Sequence, residues 1–168
     1  MNITIRKAKL GEEKTLAFIQ AESWKSAFAN IISAENMERC TDIAKAESMY
    51  ENVLKSGYAE ISILEIDSNP HCIAAWSKAR NPQFSDCAEL ICIHSLNDNR
   101  GKGYGSMMMN HIIDEIKNSG YNSVFLWVFE KNTRARTFYE KHGFELTDNT
   151  QISYDAVEVM YRKELCRD

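Results

Sequence analysis

The sequence predicts a mixed α/β (α+β) fold, with a mostly antiparallel sheet of six to seven strands flanked by about four helices. Short segments of alternating or continuous apolar residues, typical of strands, are separated by longer segments whose apolar residues recur at helical spacing. A strand, a helix and a strand follow one another between residues 88 and 129, which implies a parallel pair with a right-handed crossover. A polar turn at residues 67–70 favours an antiparallel hairpin.

The first half of the chain is predicted to contain one strand, two helices and three further strands. Alternating apolar and polar residues at 3–7 predict the first strand. Helical spacing of apolar residues predicts a helix from Glu12 to Ala29, and Ser33 as N-cap with Gly57 as stop predicts a second from Ser33 to Lys55. The three strands are predicted over Ala59–Ile66, Cys72–Ala79 and Ala88–Leu96.

The second half is predicted to alternate helices and strands. A helix from Tyr104 to Asn118 is expected to bury a stripe of Met and Ile residues and to end at Gly120. Residues 122–129 are almost wholly apolar, as in a strand covered on both faces. Asn132 is a suitable cap for a short helix that ends at Gly143. Two final strands are predicted over Phe144–Ile152 and Val157–Glu164.

Length and composition predict a single domain over residues 1–168. A chain of 168 residues and 19.3 kDa fits one domain of ordinary size. Apolar residues make up 44% and charged residues 26%, which is close to average globular usage and excludes collagen-like and low-complexity chains. No internal repeat and no linker rich in Pro, Gly or Ser divides the chain.

The charge balance and apolar runs limit the partners to expect. Twenty basic and 24 acidic residues give a net charge of −4, which argues against general affinity for nucleic acid or anionic membranes. The longest apolar run, Val124 to Phe129, is far shorter than the ~18 residues of a membrane span. The N-terminal residues lack the apolar core of a signal peptide. We therefore expect a cytoplasmic protein with no nucleic-acid or membrane partner.

The cysteines are expected to be small buried apolar residues in a reducing compartment. Their odd number and the lack of a Cys-X-X-Cys pair argue against a disulfide framework or a structural zinc site, and no metal is expected. The five are Cys40, Cys72, Cys87, Cys92 and Cys166.

A glycine-rich turn between a predicted strand and a predicted helix is the most informative segment, Arg100-Gly101-Lys102-Gly103-Tyr104-Gly105-Ser106. Such a turn can direct several N–H groups and a helix N-terminus at phosphate oxygens, with Arg100 and Lys102 adding positive charge. A tight turn without a ligand is the alternative. The glycine spacing fits neither the Walker pattern nor the dinucleotide fingerprint.

The turn resembles the acyl-CoA-binding motif of the GNAT N-acetyltransferase superfamily, in which Arg or Gln is followed after two residues by Gly-X-Gly or Gly-X-Ala. Arg100, Gly103 and Gly105 match this motif. A second family pattern, an Asn followed by a short helix that bears a Tyr and ends in Gly-Phe, is met by Asn132, Ala135, Phe138, Tyr139, Gly143 and Phe144. A weaker likeness lies in Glu22-Ser23-Trp24 of the first helix.

The resemblance implies a GNAT fold with a central splayed parallel pair, and acetyl-CoA as acyl donor. The main chain of Ile93, His94 and Ser95 should contact the pantetheine arm and the thioester. The pyrophosphate would be held by Arg100, Gly101, Lys102, Gly103, Tyr104, Gly105 and Ser106. Further donor contacts are expected from Asn132, which is also suited to capping its helix, and from Ala135 and Phe138.

The resemblance also implies catalytic roles. Tyr139 is the expected general acid that protonates the leaving thiolate, and Glu89 is the expected base that takes the proton from the amine. His94 is a second candidate for the base, whereas His142, at a helix C-terminus, is expected to be structural. A covalent route through Cys87 or Cys92 is the less favoured alternative.

The acceptor site is expected between the first helices and the C-terminal strands. Trp24 and Phe28 lie four residues apart, so they share a helix face that either binds substrate or packs in the core. The function implied is acetyl transfer to a primary amine of a small molecule or peptide, by direct attack in a ternary complex. The alternatives are a non-catalytic acyl-CoA sensor and a transferase for longer acyl groups or protein N-termini. The resemblance also allows a homodimer.

Overall fold

Seven strands form one sheet in the computed structural model, which describes residues 1–99 and 101–165. In chain order the strands are β1 (Ile3–Lys7), β2 (Glu60–Ile66), β3 (Asn69–Lys78), β4 (Ala88–Ser95), β5 (Ser123–Phe129), β6 (Glu145–Ser153) and β7 (Ala156–Glu164). The spatial order is β1-β2-β3-β4-β5-β7-β6, and every neighbouring pair is antiparallel except β4 and β5. The predicted mixed sheet with one parallel pair is confirmed.

Five α-helices accompany the sheet, α1 (Glu13–Phe28), α2 (Ala34–Cys40), α3 (Ile43–Ser56), α4 (Tyr104–Asn118) and α5 (Thr133–Lys141). The single helix expected from Ser33 to Lys55 is wrong in one respect, because it is broken into α2 and α3. Asp42 causes the break, since its side chain accepts a hydrogen bond from the N–H of Lys45 and so caps a new helix. No helix in the described part of the chain has the length and apolar character needed to cross a membrane.

The helices pack on both faces of the sheet. On one face, α4 and α5 cover the sheet, and Met108 and Ile112 of α4 pack with Leu126 and Tyr161. On the other face, Leu16 and Ile19 of α1 and residues of α3 pack against β2 and β3. The sheet therefore has an α4/α5 face and an α1/α3 face.

The parallel pair at the centre of the sheet opens soon after it begins. β4 and β5 pair at only two positions, Ala88 with Val124 and Glu89 with Phe125. On its other edge β4 carries a bulge, because Ala75 pairs with Cys92 and Trp76 with Leu90, leaving Ile91 as the extra residue. A bulge bends its strand. The separation of β4 from β5 leaves a cleft through the middle of the fold.

Candidate functional site

The cleft has a volume of about 930 Å³, near the upper end of ligand sites, which run to ~1,000 Å³. It is lined by the last residues of β4 and β5, the N-terminus of α4, one side of α5, the C-terminal half of α1 and two residues near the β6–β7 turn. Most of the predicted site residues line it, namely Trp24, Phe28, Ile93, His94, Ser95, Gly101, Gly103, Tyr104, Gly105, Ser106, Asn132, Ala135, Phe138 and Tyr139. Glu89 and Lys102 do not, and Arg100 lies outside the described residues.

The glycine turn has the backbone that its sequence requires. Gly101 and Gly103 have φ angles of +80° and +86°, in the left-handed region where a side chain would be strained. Gly105 lies in the helix itself, where an added Cβ would stand 3.4 Å from the Phe138 ring. The first two glycines thus permit the turn, and the third permits α5 to lie close to α4.

The N-terminus of α4 lacks the side-chain cap found at α2, α3 and α5. Its N-cap residue is Gly103, which has no side chain to accept a hydrogen bond, whereas Ser33, Asp42 and Asn132 cap α2, α3 and α5. Helix α1 also has no side-chain cap, but its first turn does not line the cleft. The first intrahelical bond of α4 runs from Met107 to Gly103, so the preceding N–H groups have no partner within the helix. These N–H groups and the helix dipole give the cleft end of α4 a partial positive charge, which is a chemical environment suited to an anion.

Two side chains of the glycine turn, Lys102 and Tyr104, make contacts with other residues of the protein. The Lys102 Nζ donates to the Asn99 side chain at 2.7 Å. The Tyr104 side chain is buried, packs against His71 and donates its hydroxyl to the Met1 sulfur at 3.4 Å. Within the described part of the turn, the main chain therefore supplies most of the groups that a ligand could reach.

The exposed edge of β4 supplies backbone groups to the cleft. Ile93, His94 and Ser95 pair with β3 on one side, but β5 pairs with β4 only as far as Glu89. Their β5-facing backbone groups are therefore free of strand pairing and can bind an extended ligand as a further strand would. Burial lowers the pKa of His94 to about 4, so its imidazole is neutral at pH 7.

Tyr139 presents a phenol to the cleft from within the fold. It is 8% exposed, and burial raises the pKa of its hydroxyl, which stays protonated at neutral pH. No hydrogen bond to that hydroxyl is formed by residues 1–99 or 101–165. Cys92 lies near it, and burial raises the pKa of this thiol to about 12. These surroundings thus disfavour a thiolate in the cleft, and they keep the nearby Tyr139 hydroxyl protonated, so that it can act as a proton donor.

Asn132 both caps α5 and lines the cleft. Its Oδ1 accepts a hydrogen bond from the N–H of Ala135 at 3.2 Å, which leaves the amide nitrogen of the side chain for other contacts. His142 lies at the other end of α5, where its Nδ1 is 2.8 Å from the carbonyl oxygen of Phe138. This arrangement agrees with the structural role expected for His142, although the residue also lines the cleft.

Glu89 is held in an ion pair beside the cleft. Both carboxylate oxygens accept hydrogen bonds from Arg80, at 2.6 Å from Nη2 and 3.1 Å from Nε, and the Arg80 backbone N–H adds a third. Glu89 is 4% exposed, whereas the Arg80 side chain is 55% exposed. Its expected role as base stays a prediction, and the carboxylate would have to reach an amine through an intervening group such as water.

Aromatic rings line the α1/α3 side of the cleft. Trp24 and Phe28 make an edge contact with centroids 4.9 Å apart, as their spacing in the sequence suggested. Phe28 also contacts Phe129, and Trp24 contacts Tyr154. The buried Trp24 Nε1 has no hydrogen-bond partner in the described part of the chain, so it is a free donor at this end.

Glu158 is a cleft residue that sequence reasoning missed. It lies on β7 opposite Phe129, and burial raises the pKa of its carboxyl. In the sequence it alternates with Val157 and Val159, which is the usual pattern of an exposed strand residue, so no local signal marks it. Within residues 1–99 and 101–165 no group of three His, Cys, Asp or Glu side chains is placed to hold a metal ion.

Residues 26–144 of the chain match the model of the acetyltransferase (GNAT) family. A relative described as an uncharacterized N-acetyltransferase, YuaI of Bacillus subtilis, is 25% identical over 90% of this chain and 86% of its own length. The spermidine N(1)-acetyltransferase of Thermoplasma acidophilum is 24% identical over 88% of this chain and 91% of its own.

The fold is also found among solved structures. The PaiA N-acetyltransferase from Thermoplasma acidophilum, solved in complex with coenzyme A, superposes with a TM-score of 0.83 at 22% identity. The match covers 98% of this chain and 99% of that one. The agreement therefore extends over the whole sheet and the helices on both of its faces.

Proposed function

Because the chain belongs to the GNAT acetyltransferase family, we propose that it transfers the acetyl group of acetyl-CoA to a primary amine. The observation that carries this proposal is the uncapped N-terminus of α4, which opens on the same cleft as the unpaired edge of β4 and the Tyr139 hydroxyl. One cavity thus holds a helix N-terminus suited to phosphate, a strand edge suited to an extended amide-containing chain, and a proton donor. We also propose a cytoplasmic location, which the sequence-based interpretation of the cysteines as thiols in a reducing compartment implies.

Backbone groups and side chains that line the cleft are suited to bind the acyl donor. The N–H groups before Met107 would bind the pyrophosphate, and the β5-facing backbone of Ile93 to Ser95 would bind the pantetheine arm. Asn132 and the nearby faces of Ala135 and Phe138 would complete the wall on α5. Acetyl-CoA supplies the activated acetyl group, as a thioester. A backbone N–H of β4 would stabilise the charge that develops on the carbonyl oxygen, worth ~3 kcal/mol for one donor in other enzymes.

Tyr139 is proposed as the general acid. The amine nitrogen attacks the carbonyl carbon, the new C–N bond forms, the C–S bond breaks, and its electron pair goes to sulfur. The Tyr139 hydroxyl gives its proton to that sulfur, and the amine loses a proton to a base. Burial raises the pKa of both the Tyr139 phenol and the Cys92 thiol. A leaving thiolate in the same cleft would likewise be a stronger base than in water, which favours transfer of the phenol proton to it.

The base is proposed to be Glu89, acting through water. A pKa of about 4 makes the alternative candidate, His94, a weak proton acceptor at pH 7. Glu89→Gln is expected to lower kcat while Arg80→Lys, which keeps the positive charge beside an intact carboxylate, lowers it less. Equal kcat values for the wild type and Glu89→Gln would exclude Glu89 as the base.

The acceptor is proposed to be a primary amine of a small molecule or a peptide. The name of the Thermoplasma relative supports testing spermidine among a panel of amines. The alternative, a domain that binds acyl-CoA without turnover, predicts acetyl-CoA binding with no product from any amine. The Tyr139 hydroxyl in the cleft favours the enzyme.

The first experiment is thermal unfolding with and without acetyl-CoA. Ligand at 100 times its Kd adds about 2.7 kcal/mol of stability, which should raise the Tm of a domain of this size by roughly 5–10 °C. Gly103→Glu should abolish the shift, because it places a negative charge at the proposed phosphate site. Gly57→Glu is the matched control, since Gly57 also has a left-handed φ at a helix end but lies away from the cleft.

Both variants are expected to lose stability from backbone strain of roughly 1–2 kcal/mol. Only Gly103→Glu should also lose the response to acetyl-CoA. A wild-type protein that shows no shift at millimolar acetyl-CoA would refute the enzyme and the sensor alike. A normal shift in Gly103→Glu would refute the assignment of the phosphate site.

A further inference from the structure

The charged side chains of the cleft are divided between the two faces of the sheet. Arg134 and Lys141 line the cleft from α5, on the α4/α5 face. Glu158 is the one carboxylate residue among the described residues that line the cleft. Val159 and Tyr161 of β7 pack in the core beneath α4 and α5, so by strand alternation Glu158 belongs to the opposite, α1/α3 face.

Aromatic residues lie close to Glu158 on that face. It pairs across the sheet with Phe129, whose ring contacts Phe28, and its charge interacts with Tyr154, whose ring contacts Trp24. The Gln151 side chain donates to its Oε2 at 2.7 Å and so fixes the carboxylate. The charges of Arg80 and Glu89 act on Glu158 in opposite directions, and the Arg39 guanidinium lies 5.9 Å from the centroid of the Tyr154 ring.

We propose that Glu158 binds a positively charged group of the acceptor, so that the site selects amines carrying a second ammonium group. This inference rests on the proposed acetyl transfer and names the chemical class of its acceptor. One end of the acceptor would reach the thioester, and the other would place its ammonium between the carboxylate and the rings. The substrate class is therefore a diamine or a longer amine with a distal positive charge.

The chemistry of the site suits an ammonium ion. A carboxylate forms a charge-assisted hydrogen bond to an ammonium, and the faces of Trp and Tyr attract cations. Burial raises the pKa of the Glu158 carboxyl, which means that its negative charge is incompletely compensated in the protein alone. A bound cation would supply that compensation. A distal carboxylate on the acceptor would instead meet Glu158 as a like charge.

Three acceptors of similar length test this inference, 1,5-diaminopentane, 5-aminopentan-1-ol and 6-aminohexanoate. Each offers a primary amine to be acetylated, and the distal group is an ammonium, a hydroxyl or a carboxylate. The diamine has two equivalent amines, so its kcat/KM is compared per amine. The wild type is expected to give kcat/KM values that fall in that order at saturating acetyl-CoA. Glu158→Gln should lower kcat/KM for the diamine roughly 10- to 100-fold. It should change the value for the amino alcohol much less and raise the value for the amino acid.

A matched control and a binding measurement make the outcome decisive. Glu130→Gln removes the same charge from a nearby exposed residue that does not line the cleft, and it should leave the order of the acceptors unchanged. The Kd of 1,5-diaminopentane, measured by calorimetry with and without CoA, should rise in Glu158→Gln but not in Glu130→Gln. This second readout requires no turnover, so it tests Glu158 even if the proposed acetyl transfer fails.

Two results would overturn the inference. One is an equal diamine Kd in the wild type and Glu158→Gln. The other is an equal loss of kcat/KM for all three acceptors, which would place Glu158 in the chemistry or in the structure rather than in recognition of charge. Affinity for acetyl-CoA should be the same in the wild type and Glu158→Gln. A wild type that does not bind acetyl-CoA would count against the proposed function, and the diamine Kd would still test Glu158.

Discussion

Replacing Tyr139 by Phe separates the chemistry of the cleft from its stability. The substitution removes one oxygen atom whose hydroxyl makes no hydrogen bond to the described residues, and it keeps the ring that packs against Phe138 and Phe144. The free energy of unfolding should therefore change by less than about 0.5 kcal/mol. If the hydroxyl protonates the leaving thiolate, kcat should fall by roughly 10²- to 10⁴-fold.

Tyr50→Phe is the matched control, because Tyr50 is also buried but lies outside the cleft. Its hydroxyl donates to the Gln20 side chain at 2.6 Å. Loss of that hydrogen bond should lower the free energy of unfolding by about 1 kcal/mol, or the Tm by roughly 2–4 °C. The kcat should not change. Tyr139→Phe is thus expected to lower activity but not stability, and the chemically identical Tyr50→Phe is expected to lower stability but not activity.

The assays are steady-state turnover of acetyl-CoA with an accepted amine and thermal unfolding of each protein. The Kd for acetyl-CoA, measured separately, should be unchanged in Tyr139→Phe, so that a fall in kcat reports the reaction and not binding. A kcat within about threefold of the wild type would refute the role of Tyr139 as general acid. A joint loss of kcat and Tm would show that the hydroxyl supports the structure instead.

Three further predictions follow from single contacts. Asn132→Ala should lower the free energy of unfolding by about 1 kcal/mol through loss of the α5 cap, whereas Asn132→Asp keeps the cap. Both should raise the Kd for acetyl-CoA in calorimetry, and an unchanged Kd would leave Asn132 a cap alone. Burial lowers the pKa of His94 to about 4, so the unfolded chain binds more protons below pH ~6.5. The stability contributed by neutral His94 should be lost as the pH falls from ~6.5 towards 4, by up to ~1.4 kcal/mol per pH unit. The free energy of unfolding, measured with urea at several pH values, should fall less steeply with decreasing pH in His94→Gln than in the wild type. Arg80→Ala should destabilise the protein by ~1–3 kcal/mol because it leaves the Glu89 carboxylate buried without its partner, and a Tm equal to that of the wild type would contradict this reasoning.

The parts of the fold that could be predicted are those fixed by local patterns. The stripe of Met108, Ile112 and their neighbours marks α4, and the glycines mark the turn before it, because each pattern has a single backbone solution. The break between α2 and α3 was missed although Asp42 is a good capping residue. Its signal was outweighed by helix-compatible residues on both sides, and a cap competes only weakly with helix continuation.

The parts that could not be predicted depend on contacts between distant segments. The bulge at Ile91 lies in a run of apolar residues whose pattern would be the same in a regular strand. The bulge is revealed only by the register of β4 against β3. The pairing of Glu89 with Arg80 depends on the path of the loop between β3 and β4. Glu158 reaches the cleft because β7 lies beside β5, and that neighbour relation is a property of the topology rather than of the residues around it.

The unsatisfied backbone groups of this fold have a distribution that favours a ligand over a structural bend at the glycine turn. Helices α2, α3 and α5 each receive a side-chain cap, whereas α4 begins at a glycine that cannot supply one. Helix α1 is also without a side-chain cap, but α4 is the uncapped helix whose N-terminus lines the cleft. The parallel strands β4 and β5 forgo most of the pairing open to them, and the bulge in β4 lies at the same place. Each of these features gives up hydrogen bonds that a purely structural chain would form, and all three border one cleft. A tight turn without a ligand would account for the glycines, but it gives no reason for the neighbouring strands to separate. An extended ligand with an anionic end accounts for both, because it would bond to the free N–H groups of α4 and to the free edge of β4 together.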